Sequence, residues 1–207
     1  MSGDDAPAAS GRRVTYDEYP FGLSWILDEV MERASHALVE GDRVWLVDPV
    51  DVPEAVERAA GLGTPAGVLQ LLDRHNRDCA AIAERLGVPH LRLPGDVPGS
   101  GIEAFTAVSF PGWREVALWW PAQQALLVAE LLGSNAYYTG GSGRVGMHFM
   151  VRATAPGSVR GYRPRHLLLG HGTGVHGDEA AEELERAYHR ARRDLPRLLL
   201  KLPFSMR

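Results

Sequence analysis

The 207-residue chain has a single cysteine, no long uninterrupted apolar run and no marked excess of charge of either sign. Each shortage removes a class of protein. Cys79 alone cannot build an intrachain disulfide framework, so a reducing compartment, and hence a cytoplasmic location, is the expectation. The most apolar stretch, Val116 to Leu132, is broken by Pro121, Gln123 and Gln124, and it falls short of the roughly 20 continuous apolar residues that cross a membrane. Asp and Glu number 26 against 22 Lys and Arg, a formal net charge of −4 with the signs interspersed; nothing here would drive nonspecific nucleic-acid binding. No repeat at solenoid periods stands out. The first thirteen residues are small and polar, with Asp4 and Asp5 where a signal peptide carries positive charge. Residues 1–13 read as a disordered leader, followed by a single domain over 14–207. With 45% hydrophobic residues and five Trp, that domain can build one well-buried core.

Ala37-Leu38-Val39 and Val44-Trp45-Leu46-Val47 flank a Glu40-Gly41-Asp42-Arg43 turn, the pattern of a hairpin. Pro53-Glu54-Ala55 opens a short helix closed by Gly61 and Gly63, proline suiting a first turn and glycine the position past the last. Gly67 to Leu72 is an apolar run of strand length, and a polar turn over Asp73–Arg77 then leads into a helix from about Asp78 to Leu86, stopped by Gly87. Further strands are expected at His90–Leu93, Phe105–Val108, Val116–Trp119, Ala125–Val128 and Arg165–Leu169. The last helix, about Glu179 to Asp194, carries Glu179, Glu182, Glu183 and Glu185 early and Arg186, Arg190, Arg192 and Arg193 late. That order complements the helix dipole and marks a solvated face. The alternation of strands and helices defines an α/β class.

Polar residues gather at the expected strand ends: Asp48 after the second hairpin strand, Asp73-Arg74-His75-Asn76-Arg77-Asp78-Cys79 after the next, Glu130 after Ala125–Val128, and Gly170-His171-Gly172 after Arg165–Leu169. In order and local context, from about Ser35 to Pro196, the chain resembles the metallo-β-lactamase fold superfamily, in which a Thr-His-x-His-x-Asp-His turn, a separate His, a late Asp and a final Gly-His hold two metals. The resemblance implies an αβ/βα sandwich, two mixed sheets face to face with helices outside. Anchored on Asp78, it puts Arg74 and Asn76 at the first two histidine positions, Cys79 at the last, Trp113 at the separate histidine, Glu130 at the bridging Asp and His171 at the terminal ligand. Asp48 matches an early strand-end Asp of the family.

Arg74, Asn76 and Trp113 are not zinc ligands, so a two-metal centre is not expected. Two readings stay open for what remains. In one, the Arg74 guanidinium fills the first-metal position and neutralises Asp78 and Glu130. No cofactor is then needed, and the cleft binds a small molecule through Arg74, Asn76, Trp113 and His176, without catalysis. In the other, Asp78, Cys79 and His171 hold one zinc ion, Glu130 and Asp78 serve catalysis, and a zinc-bound water attacks a small ester, thioester or related acyl substrate. Neither reading involves nucleic acid or a membrane as partner, and self-association is left open. The glycine-rich Tyr137–Arg144 segment lacks the Lys-Ser/Thr ending of a phosphate-binding loop and reads as a rim loop. His36 reads as a structural histidine and His75 as an exposed turn residue, while His90, His148, His166 and His189 are given no role.

Overall fold

The computed structural model describes residues 12–74 and 77–196. The chain forms β1 (Val14–Tyr19), β2 (Gly22–Leu27), β3 (Ala34–Glu40), β4 (Arg43–Val47), α1 (Pro53–Ala60), β5 (Thr64–Gln70), α2 (Cys79–Leu86), β6 (His90–Arg92), β7 (Glu103–Phe110), β8 (Trp113–Trp120), β9 (Ala125–Val128), β10 (Leu132–Gly133), α3 (Ala136–Thr139), β11 (Gly146–Met147), β12 (His166–Leu169), β13 (Val175–His176) and α4 (Glu179–Ala191). One sheet has the order β1-β2-β3-β4-β5-β6 and the other β13-β12-β9-β8-β7, with β10 and β11 paired separately. Both large sheets are mixed: β4, β5 and β6 run parallel, as do β9 and β12, and the remaining pairs are antiparallel.

β4 shows why the sheets stack this way. Its run Val44-Trp45-Leu46-Val47 is apolar throughout because both faces are covered. Trp45 and Val47 join Leu38, Leu69 and residues of β8, β9 and β12 in a core between the sheets. Val44 and Leu46 point the other way, into a second core with Ala55, Val56 and Ala59 of α1 and Ile82 and Ala83 of α2. On the opposite side α4 turns Ala180, Leu184, Ala187 and Ala191 inward together with Glu183, which is buried, against the expected solvated face, because Arg186 and Arg190 bind it, while Glu179, Glu182, Arg186, Arg192 and Arg193 lie outside. The result is the expected αβ/βα sandwich.

The hairpin forms as expected, with Gly41 at φ +64° in its turn, and Gly87 ends α2 in the left-handed conformation. The β1–β2 hairpin and the two-residue β13 were not anticipated. The leader expectation falls almost wholly outside the described residues, but Arg13 is already tied in, its carbonyl accepting the Asp28 N–H at 3.0 Å. Among the described residues no helix is long and apolar enough to cross a membrane.

The parallel strands β4, β5, β9 and β12 all end at one edge, where open α/β sheets place their sites. Backbone bonds join the two sheets there: Ala34 N–H to Gly170 O at 2.9 Å, Gly172 N–H to Glu32 O at 2.8 Å, Asp73 N–H to Arg114 O at 3.0 Å and Val116 N–H to Leu71 O at 2.8 Å. Gly170 sits at the first of these joints. A Cβ there would stand 2.1 Å from the Ala129 carbonyl oxygen, so only glycine lets the ends of β9 and β12 approach this closely. Gly170→Ala is therefore expected to cost about 2 kcal/mol, the usual scale of an overpacked site. Urea unfolding measures it, and an unchanged midpoint would show that the edge can relax.

Candidate functional site: the strand-end cleft

Asp48, at the end of β4, is buried and adopts φ +44°, a conformation that a non-glycine residue keeps only when its surroundings hold it there. The holding bond is visible: its Oδ1 accepts the Leu71 N–H at 3.1 Å. Its carbonyl, with those of Ala34 and Gly170, receives the guanidinium of Arg77, Nη1 bonding Ala34 O and Asp48 O (3.0 Å) and Nη2 bonding Gly170 O (3.1 Å). Burial lowers the proton affinity of Arg77, and the Asp48 carboxylate opposes that fall. A fixed cation thus stands among the strand ends of both sheets.

Arg77, not Arg74, is this cation, which corrects the expectation from sequence. Arg74 is exposed and lies over the Trp113 ring, its guanidinium carbon 4.4 Å from the centroid, with Nη1 donating to Gly112 O at 3.2 Å. It pairs with neither Asp78 nor Glu130 in any described contact. Asn76 and His75, between the two arginines, lie outside the described residues.

Trp113 opens β8, fully buried, with Glu115 two residues further on the same face. Glu115 is also buried, and its hydrogen bonds give it an organising role. Oε1 accepts the N–H groups of Ala129, Glu130 and Leu131 at 3.0, 3.0 and 3.1 Å, and Oε2 accepts the Trp113 indole N–H at 3.0 Å. Burial pushes its carboxyl up to about 6, against the pull of those N–H donors. One side chain therefore sets the positions of both the Trp113 ring and the turn that carries Glu130.

Glu130 has a side-chain exposure of 12% and its Oε1 lies 3.6 Å from His171 Nε2. The Tyr138 hydroxyl donates to the same oxygen at 3.4 Å, and the Tyr138 ring stacks on His171 with centroids 5.4 Å apart. His171 Nδ1 lies 2.9 Å from the Met31 carbonyl, which can only accept, so Nδ1 carries a proton and Nε2 is the atom turned to Glu130. Beside them His148 meets the Trp113 ring edge-on at 4.8 Å. Its Nδ1 accepts the Met150 N–H at 3.3 Å and its Nε2 lies 3.3 Å from the Tyr137 hydroxyl. Burial lowers the His148 pKa to about 4, so the ring is neutral at pH 7. Tyr137, Tyr138 and His148 come from the segment between β9 and β12, where the sequence gives no strand or helix periodicity long enough to place them.

The remaining expected site residues are placed elsewhere. Asp78 Oδ2 accepts the Asp51 N–H at 2.7 Å. Cys79 is buried in the second core with Ile82 and Ala83, and burial pushes its thiol pKa far up, away from the thiolate that metals bind. His176 does not line the cleft: it pairs in register with His166 at the start of β12, while His171 follows that strand's end. Asp78, Cys79 and His171 thus do not assemble as a ligand set. Among the described residues no group of three or more His, Cys, Asp or Glu side chains is arranged to hold a metal ion, and a fixed guanidinium at the strand ends repels a second cation. Among the described residues, which leave out His75 and Asn76, the donor set does not fit a family-type metal centre.

Several solved structures share this architecture. A fragment of a diflavin flavoprotein from Nostoc sp. PCC 7120 superposes with TM-score 0.64 at 16% identity, over 89% of this chain and 97% of that one. The DIM-1 metallo-β-lactamase gives 0.57 at 14% identity, over 87% and 97%. The chain has the metallo-β-lactamase fold. A metallo-β-lactamase from Pontibacter korlensis matches likewise, TM-score 0.55 at 11% identity over 88% and 97%. No protein-family profile and no curated protein matches the sequence. Identities this low carry the architecture and not the activity.

Two arginines three positions apart should therefore behave very differently. Arg77→Met removes a charged donor from three carbonyls and is expected to cost about 3 kcal/mol, whereas Arg74→Ala, which loses a surface ring contact, should cost under about 1 kcal/mol. Urea unfolding of the two variants checks the contrast; equal losses would reverse the assignment. His148 should titrate near pH 4 by NMR. Because its folded pKa is depressed from the ordinary 6.5, its contribution to stability is complete above that value and is lost as pH falls through about 4.

Proposed function

We propose that this metallo-β-lactamase-fold protein binds a small anionic molecule in the strand-end cleft and carries out no two-metal hydrolysis. The observation that bears most weight is the Arg77 guanidinium, held by the carbonyls of Ala34, Asp48 and Gly170. It supplies permanently, from the chain itself, positive charge at an edge where the fold family gathers metals. The family's ligand positions have turned to other work, Asp78 to the Asp51 backbone and Cys79 to the core.

Recognition falls to the outer part of the cleft. Arg74 is exposed, is oriented by the Trp113 face and keeps donors unused in its described contacts; a planar guanidinium in that setting suits a carboxylate or phosphate. Trp113 forms an aromatic floor with Tyr137 and the neutral His148 beside it. Glu130 and His171 act as a coupled polar pair that orients a ligand hydroxyl or amide. A mononuclear zinc hydrolase built on Asp78, Cys79 and His171 is the weaker reading, because those three side chains point into different surroundings.

Two measurements test the proposal. Zinc titration followed by dialysis should leave no equimolar bound metal; one retained zinc per chain, lost in His171→Ala, would restore the hydrolase. Titration with benzoate and with inorganic phosphate should shift the Trp113 indole resonance, and Arg74→Ala should weaken the binding about tenfold or more, the scale of a lost charged hydrogen bond. Equal affinity in Arg74→Ala would remove the anion assignment.

A further inference from the structure

A second group of ionisable side chains lies away from the cleft, where the edge strand of one sheet meets the edge strand of the other. β1 and β13 are those edges. His176 of β13 places Nε2 3.1 Å from both carboxylate oxygens of Asp17 on β1, and the Gly174 N–H donates to Asp17 Oδ2 at 3.1 Å. On the other side of the ring, His176 Nδ1 lies 2.9 Å from Nδ1 of His166 on β12. The Tyr19 ring lies 5.7 Å from His176, and the Phe21 ring lies edge-on 4.9 Å from His166. Asp17 is 12% and His176 28% exposed at the side chain, so the chain is largely shielded yet open to protons.

The hydrogen count of this chain is constrained. A carboxylate only accepts, so His176 Nε2 carries a proton. Two nitrogens 2.9 Å apart share one proton between them. Either His176 is a cation donating to neutral His166, or neutral His166 donates to neutral His176. If both rings become cations, two N–H groups confront each other and the bond cannot form.

We propose that Asp17, His176 and His166 form a proton-sensitive latch, closed while the two imidazoles share one proton and opened when both are protonated, which frees the segment 172–176 from β1. The surroundings favour this behaviour. Arg165, next to His166, is paired with Asp178 at 3.0 Å, His36 approaches Asp17 from β3, and Tyr19 is protonated. From α4, packed against β13, Glu183 is already bound by Arg186 and Arg190. Asp17 is the carboxylate in hydrogen-bond contact with the imidazole pair, and one anion balances one proton. Burial, His176 and Arg165 together lower the His166 pKa. Burial raises Asp17, but His176 and the Gly174 N–H outweigh it and hold the carboxyl low. Both groups are depressed in the folded state, so the latch is fully closed above pH 6.5, the ordinary histidine value, and weakens as pH falls. Since the freed segment follows directly on His171, opening would also loosen the cleft; that consequence rests on the binding function proposed above, whereas the latch does not.

Amide hydrogen exchange tests the latch without any ligand. Corrected for its intrinsic pH dependence, exchange at Gly174 is expected to quicken up to about tenfold per pH unit below 6.5, the slope for uptake of one proton, while amides of β8 and β9 stay protected. Asp17→Ala, which leaves the Gly174 N–H without its acceptor, should exchange fast at Gly174 at every pH, and His166→Asn should flatten the acid response, because a lone imidazolium keeps its bond to Asp17. Flat protection of Gly174 in the unmodified protein, or an unaltered acid response in His166→Asn, would overturn the proposal. Should a variant fail to fold, ¹⁵N shifts of the two imidazoles in the unmodified protein decide: coupled titration supports the latch, and two independent ordinary curves refute it.

Discussion

The cationic group of Arg77 is the contact on which this end of the molecule depends. Its three acceptors belong to three separate places in the chain, the start of β3, the residue after β4 and the residue after β12. Gly170 O also accepts the Ala34 N–H, and leaving strand-end carbonyls dry and unbonded is costly. A planar group with several donors in a fixed fork can serve three of them at once, which a lysine ammonium would do with less directional fit. Gly170 then allows β9 and β12 to close on the same point.

Glu115 plays the complementary part. Arg77 gathers carbonyls, while Glu115 gathers N–H groups, those of residues 129–131 together with the Trp113 indole. Between them they hold the strand ends of both sheets with opposite charges, each through several backbone bonds. Arg74 stays exposed above the Trp113 ring, while Tyr137 and His148 are buried beside that ring.

Much of the fold could be read from the sequence because its signals are local. The hairpin turn at Gly41, the Gly87 stop of α2 and the continuous apolar run of β4 each follow from one stretch of chain. The convergence of strand ends was legible too, since polar residues after apolar runs must gather where parallel strands finish. Side-chain direction was not. Spacing brings Arg74 and Arg77 equally near the strand end, and it does not tell that one lies outward over Trp113 and the other inward on three carbonyls. His176 failed for a related reason: it lies five positions after His171, but β13 runs back along β12 and carries it to the far end of the strand. His148 and Tyr137 come from connections with no periodicity to betray them, and β1, a half-buried edge strand, mixes Asp17 and Glu18 with its apolar residues.

The origin of the charge at the strand ends has one more consequence. A metal must be acquired after synthesis, competes with other ions for its place and can be withdrawn by scarcity. A guanidinium arrives with the polypeptide at fixed stoichiometry, so the charge that Arg77 brings to the strand ends is set by the sequence and not by supply.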